Sequence, residues 1–218
     1  MKRLLPLLFI SFLFATCSFA QVPFADEIAA FKKLDEKNFP PKNAILFVGS
    51  SSFRKWQDVQ DYFPGYTIIN RGFGGSSLPD VIHFAGDIIF PYQPKQIVIY
   101  CGENDFASSD TVSVQTVYNR FLQLFSMIRK KMPAVPLVFV SIKPSPSRKH
   151  LMPKFLEANL LIKNYMKIQS LTVYADVYYK MMNADGTPKK EIFTEDNLHM
   201  NSKGYAIWKE VLLPCLIK

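Results

Sequence analysis

The chain has 218 residues, 49% hydrophobic and 20% charged, with three cysteines. That much apolar side chain excludes a disordered polypeptide, and so few cysteines exclude a disulfide scaffold. The formal charge of +8 is spread among acidic residues, Lys143, Arg148 and Lys149 lie close together, and no nucleic-acid motif is present, so no nucleic-acid partner is expected.

Lys2 and Arg3 precede an apolar run from Leu4 to Phe14, broken only by Pro6 and Ser11, and Ser18-Phe19-Ala20 follows. This is the layout of a secretory signal peptide over residues 1–20, cleaved after Ala20. The run is too short for a membrane span. Cys17 would carry the lipid of a lipoprotein, but Thr16 before it does not suit the small residues such sites prefer. The expected product is residues 21–218, a single exported domain (periplasmic or secreted) with no integral membrane span. Losing Lys2 and Arg3 takes its formal charge from +8 down by two, to +6. It is long enough to bury one core. Cys101 and Cys215 remain and read as small buried hydrophobes, although export permits a bond between them.

A helix is predicted over residues 24–37, then a strand over 44–48 that leads into Gly49-Ser50-Ser51. The second strand, 66–69, runs into Asn70-Arg71-Gly72-Phe73-Gly74-Gly75, and a helix follows over 78–89. The third strand, 96–101, is followed by Gly102-Glu103-Asn104-Asp105 and a helix over 114–132. The fourth strand, 137–142, enters the basic segment through Arg148. The next helix, 154–169, carries Phe155, Leu156, Asn159, Leu160, Ile162 and Lys163, read as an apolar face at helical spacing. A fifth strand, 172–177, precedes Asp196-Asn197-Leu198-His199 and a last helix over 202–213, capped by Ser202. The strand runs are near-continuous rather than alternating, which predicts strands buried on both faces. Such alternation of strands and helices predicts an α/β, three-layer flavodoxin-like fold. Its five-stranded parallel sheet would run in the order 2-1-3-4-5, with helices on both faces.

In that topology Ser51, Gly75 and Asn104 fall on one edge, beyond the carboxyl ends of strands one, two and three. A serine there exposes its hydroxyl near a helix N-terminus, although Ser50, Ser51 and Ser52 equally suit helix caps. Asp196, three residues before His199, can reach Nδ1 and leave Nε2 facing a nucleophile; a plain surface turn would also accommodate the pair. Asn104 supplies an amide donor or a turn, and Gly75 a backbone N–H or a chain reversal. Together the motifs supply the groups that ester hydrolysis needs. His83 falls on a predicted helix, in a packing or surface role, and His150 lies in a basic loop. No cofactor is required, and no metal-ligand cluster favours phosphoester hydrolysis.

Over nearly all of residues 44 to 213 the chain resembles the SGNH hydrolases, the GDSL-type esterases and acylhydrolases. Gly-x-Asn-Asp is matched residue for residue by Gly102-Glu103-Asn104-Asp105, and Asp-x-x-His by Asp196 and His199. The resemblance implies that Ser51 is the nucleophile, with Asp196 and His199 completing a triad. It also implies that the amides of Ser51 and Gly75 and the side chain of Asn104 form the oxyanion hole. The departure is Ser50, where the family usually has an aspartate in a supporting role. The substrate expected is a small-molecule ester with a short acyl group, first an O-acetyl on a carbohydrate, then a short-chain lipid ester. Arg71, Lys143 and Arg148 are candidate contacts for an anionic part of it. The rival is a catalytically silent carbohydrate- or lipid-binding module, for which Asp196, His199 and Asn104 together would be superfluous.

Overall fold

Every residue of β1 (Ile45–Gly49), β3 (Gln96–Tyr100) and β4 (Leu137–Val140) is buried. In the computed structural model, which describes residues 22–218, these strands form the centre of a five-stranded sheet ordered β2-β1-β3-β4-β5. The predicted signal peptide and Cys17 lie outside the described residues. All neighbouring strands pair in parallel, so the predicted α/β order is the observed one. β2 (Ile68–Gly72) and β5 (Thr172–Ala175) are the edges and are only partly buried. Burial on both faces was expected for all strands and fails for these two, because an edge strand is covered from one side only.

Successive side chains of a strand point to opposite faces. Leu46, Val48, Ile97 and Ile99 enter one core, together with Leu137 and Phe139. Phe47, Val98, Tyr100 and Val138 enter the other. The first core is closed by α1 (Ala25–Lys37), α4 (Leu78–His83), α5 (Ala85–Ile88), α7 (Val114–Lys131) and α8 (Met152–Ile168). The second is closed by α2 (Ser51–Arg54), α3 (Val59–Tyr62) and α9 (Ser202–Leu212). α7 shows why such segments are helical and where they dock: Val117, Phe121, Leu124 and Ile128 recur at helical spacing and are buried. Each such side chain contributes roughly 1.5–3 kcal/mol on leaving water.

Several local expectations are corrected. The predicted helix over 78–89 divides into α4 and α5, with Phe84 between them outside helical geometry. The buried stripe of α8 is Phe155, Ala158, Asn159, Ile162 and Met166, whereas Leu156 and Leu160 are exposed. The helix is rotated so that one apolar row meets the sheet and the other flanks edge strand β5. The cap of α9 is Asn201, which accepts from the amides of Lys203 and Gly204, and not Ser202. Cys101 and Cys215 are both free, packed on opposite faces of the sheet. No helix among the described residues is long and apolar enough to cross a membrane.

Candidate active site

The chain turns sharply at the carboxyl edge wherever a strand gives way to a site residue. Gly49 ends β1 with φ at +139°, and a Cβ there would lie 1.9 Å from the Tyr100 carbonyl oxygen. Only glycine fits so close to β3 in that conformation, and the turn delivers Ser51 as the first residue of α2. Gly102 repeats the device after β3 with φ at +118°. It starts a short helix, α6 (Glu103–Ala107), that the sequence pattern does not reveal.

The loop before α9 is built around one carboxylate. Asp196 Oδ1 accepts from the amides of Leu198 and His199, both at 2.9 Å, and from the Thr194 hydroxyl at 2.8 Å. Asn197 takes the left-handed conformation, φ +55°, which asparagine tolerates better than most residues. Asp196 Oδ2 then meets His199 Nδ1 at 2.6 Å, and His199 Nε2 stands 3.1 Å from Ser51 Oγ. An ionised carboxylate only accepts, so the imidazole proton is placed on Nδ1 and Nε2 accepts from the Ser51 hydroxyl. Burial would raise the Asp196 pKa, but the bonds from the His199 ring, the two amides and Thr194 outweigh it and hold the carboxyl well below its ordinary value.

Asn104 Nδ2 donates to Ser50 Oγ at 2.7 Å and to the Ser76 carbonyl at 3.2 Å. Ser50 therefore keeps a bond to Asn104 at the position where the family usually has aspartate. A Cβ on Gly75 would point at Asn104 Nδ2 from 3.7 Å, an ordinary contact distance. Its absence leaves open the gap between the Gly75 backbone and the Asn104 amide.

The three expected substrate contacts are placed otherwise. Arg71 is buried on the α1 side, paired with Asp35, bonded to the Tyr92 hydroxyl and lying over the Phe31 ring. It clamps α1 to β2 and does not reach the edge. Lys143 is 1% exposed. Its Nζ lies 3.0 Å from the Glu103 carboxylate and donates to the Leu198 carbonyl at 2.9 Å. Burial lowers its pKa, opposed by the Glu103 charge. Arg148 lies 3.3 Å from Glu103 and donates from Nη2 to Asn104 Oδ1 at 2.8 Å. Lys143 and Arg148 are thus engaged by the protein itself. His83 is exposed against Phe84, and exposed His150 lines a cleft of about 330 Å³. That cleft is also bordered by Phe106, Ser147, Arg148, Asp196 and Leu198.

Sequence reasoning misses Glu103, the variable residue of Gly-x-Asn-Asp, whose carboxylate also accepts from the Tyr100 hydroxyl at 2.5 Å. It misses Asp105 too, which is fully buried and accepts from the Leu78 amide and from Arg120, at 2.9 and 2.8 Å. Burial raises the Asp105 pKa, moderated by those two bonds. Asp105 thereby fixes α6 against the N-terminus of α4 and against α7. The only signal for either residue is an acid just beyond an apolar strand, in a turn rich in polar residues.

Sheet order and strand-end turns define a three-layer α/β fold, with Ser51, His199 and Asp196 in line at its carboxyl edge. Residues 45–207 match the GDSL-like lipase/acylhydrolase family, and the chain belongs to that family. No curated protein matches it. A Streptococcus pneumonia protein provisionally described as a platelet activating factor is similar in structure. It has a TM-score of 0.76 and 20% identity, with 88% of this chain and 92% of the other covered. A GDSL-like lipase from Bacteroides thetaiotaomicron gives 0.72 at 16% identity, over 86% of this chain and 96% of its own. An acetylxylan esterase from Geobacillus stearothermophilus, carrying a catalytic mutation, gives 0.63 at 12% identity over 79% and 93%. At these identities the likeness is one of fold.

Proposed function

We propose that the chain is an exported serine esterase that cleaves a carboxylic ester with a short acyl group, an acetyl on a carbohydrate before a short-chain lipid ester. The observation that carries the reading is His199, whose two ring nitrogens stand 3.1 Å from Ser51 Oγ and 2.6 Å from Asp196. His199 Nε2 takes the Ser51 proton as Oγ attacks the ester carbonyl, and Asp196 stabilises the imidazolium that forms. The amides of Ser51 and Gly75 and the side chain of Asn104 receive the oxyanion, which competes with Ser50 for the Asn104 hydrogen. His199 returns the proton to the leaving alcohol. Water then cleaves the acyl-enzyme by the same route. The fold of an acetylxylan esterase and the family's acylhydrolase character support the choice of ester. A cleft of about 330 Å³ lies beside Asp196, bordered by Ser147, Arg148 and His150 as well as Phe106, a mixed polar lining that suits a carbohydrate better than a long acyl chain.

The test is hydrolysis of p-nitrophenyl acetate, butyrate and octanoate by the wild type beside Ser51→Ala. The reading predicts activity highest on acetate and lost in the variant. Equal near-background rates for both proteins support the silent binding module instead, and a preference for octanoate supports the lipid ester.

A further inference from the structure

Arg148 was expected to touch substrate; its surroundings give it another task. We infer that Arg148 is a positioning residue for the oxyanion amide: it holds Asn104 Oδ1 so that Nδ2 is presented to the oxyanion. This rests on the serine-esterase reading above. An asparagine amide is often ambiguous, since its oxygen and nitrogen can exchange places. Here each partner has one role. The Arg148 guanidinium only donates, at 2.8 Å, and the Ser76 carbonyl only accepts, at 3.2 Å. A rotated amide would set NH₂ against the guanidinium and oxygen against the carbonyl, two repulsive contacts in place of two bonds.

The guanidinium is itself held. Its Nη1 lies 3.3 Å from Glu103, and that carboxylate is fixed by Tyr100 at 2.5 Å and Lys143 at 3.0 Å. Lys143 also donates to the carbonyl of Leu198, the residue before His199, at 2.9 Å. The Ser147 amide adds a bond to the Asn197 carbonyl at 3.1 Å. One buried network therefore joins the oxyanion donor to the loop that carries the base. A cation on Oδ1 also polarises the amide and strengthens Nδ2–H as a donor to negative charge. The structure gives a reason why lysine would not serve: an ammonium keeps the charge beside Glu103 but has no planar fork to engage Asn104 at the same time.

The experiment compares Arg148→Lys, Asn104→Ala and the double variant on p-nitrophenyl acetate, with melting curves for each. Arg148→Lys should melt near the wild type, lose about tenfold in kcat and keep KM within about twofold, a loss of transition-state binding alone. In the Asn104→Ala background it should add almost nothing, because the group it positions is gone. A raised KM with unchanged kcat would make Arg148 a substrate anchor and overturn the inference. So would a tenfold loss that multiplies with Asn104→Ala. Activity that does not depend on Ser51 would sink the esterase reading and the oxyanion role with it, leaving the Arg148 contact with Asn104 to be read separately. The side-chain amide NMR signal of Asn104 then decides: it should shift or broaden in Arg148→Lys, and an unchanged signal would overturn the positioning role.

Discussion

Replacing Lys143 by methionine removes the cation at the centre of the buried network while keeping the apolar length of the side chain. Lys143 is 1% exposed and its partner Glu103 is 5% exposed. Breaking such a pair from one side costs about 3–5 kcal/mol, because the remaining charge stays buried. Glu103 keeps the Tyr100 hydroxyl and Arg148, which places the cost at the lower end. The Leu198 carbonyl loses its 2.9 Å bond, worth about 1 kcal/mol. A total of about 3–4 kcal/mol corresponds to a fall in Tm of roughly 6–16 °C for a domain of this size. Trp56 and Trp208 are both fully buried, so their fluorescence reports unfolding directly. Adding Glu103→Gln should restore part of the loss, since no uncompensated carboxylate then remains. A change in Tm of less than about 2 °C, equivalent to under 1 kcal/mol, would refute the argument that this pair anchors the loop before His199.

Asp196→Asn should leave the fold intact and lower kcat by at least about 100-fold, because an amide no longer enforces the Nδ1–H tautomer of His199; steady-state kinetics beside a melting curve checks both halves. Asp196 is held well below its ordinary pKa, so above pH ~4 it stays ionised in the folded protein. Asp196 should then contribute nothing to the acid limb of kcat/KM, whose limiting slope should not exceed one. A slope of two would mean that Asp196 titrates as well. The same depression gives the stability linkage its sign: the contribution is present above the unfolded carboxyl pKa of ~3.9 and is lost as pH falls towards the folded value. Expression in a bacterial host with mass analysis of the exported product should give an N-terminus at Gln21. A product retaining Lys2 and Arg3 would contradict the signal-peptide reading.

The central strands were legible because β1, β3 and β4 are near-continuous apolar runs and glycines mark where β1 and β3 end. The spacing of Asp196 and His199 was legible because a three-residue separation in one loop sets their reach whatever the rest of the fold does. Lys143, Arg148 and Arg71 were not, because sequence shows a charge and not its partner. Glu103 lies 40 residues before Lys143, and Asp35 lies 36 before Arg71. Only the folded sheet brings them together, so the sequence shows a long cation near a predicted mouth without the carboxylate that engages it. Helix α6 was missed for its length, five residues being too few to show a period. In α8 two apolar rows compete, and packing against the sheet selects one of them.

The central claim is that Ser51 is the nucleophile, and the most direct measurement is covalent trapping. The purified protein is treated with a fluorophosphonate, digested and mapped by mass spectrometry. One adduct is expected, on Ser51, and it disappears in Ser51→Ala. An adduct on Ser50 or Ser52, or none on a protein that still hydrolyses esters, would contradict it.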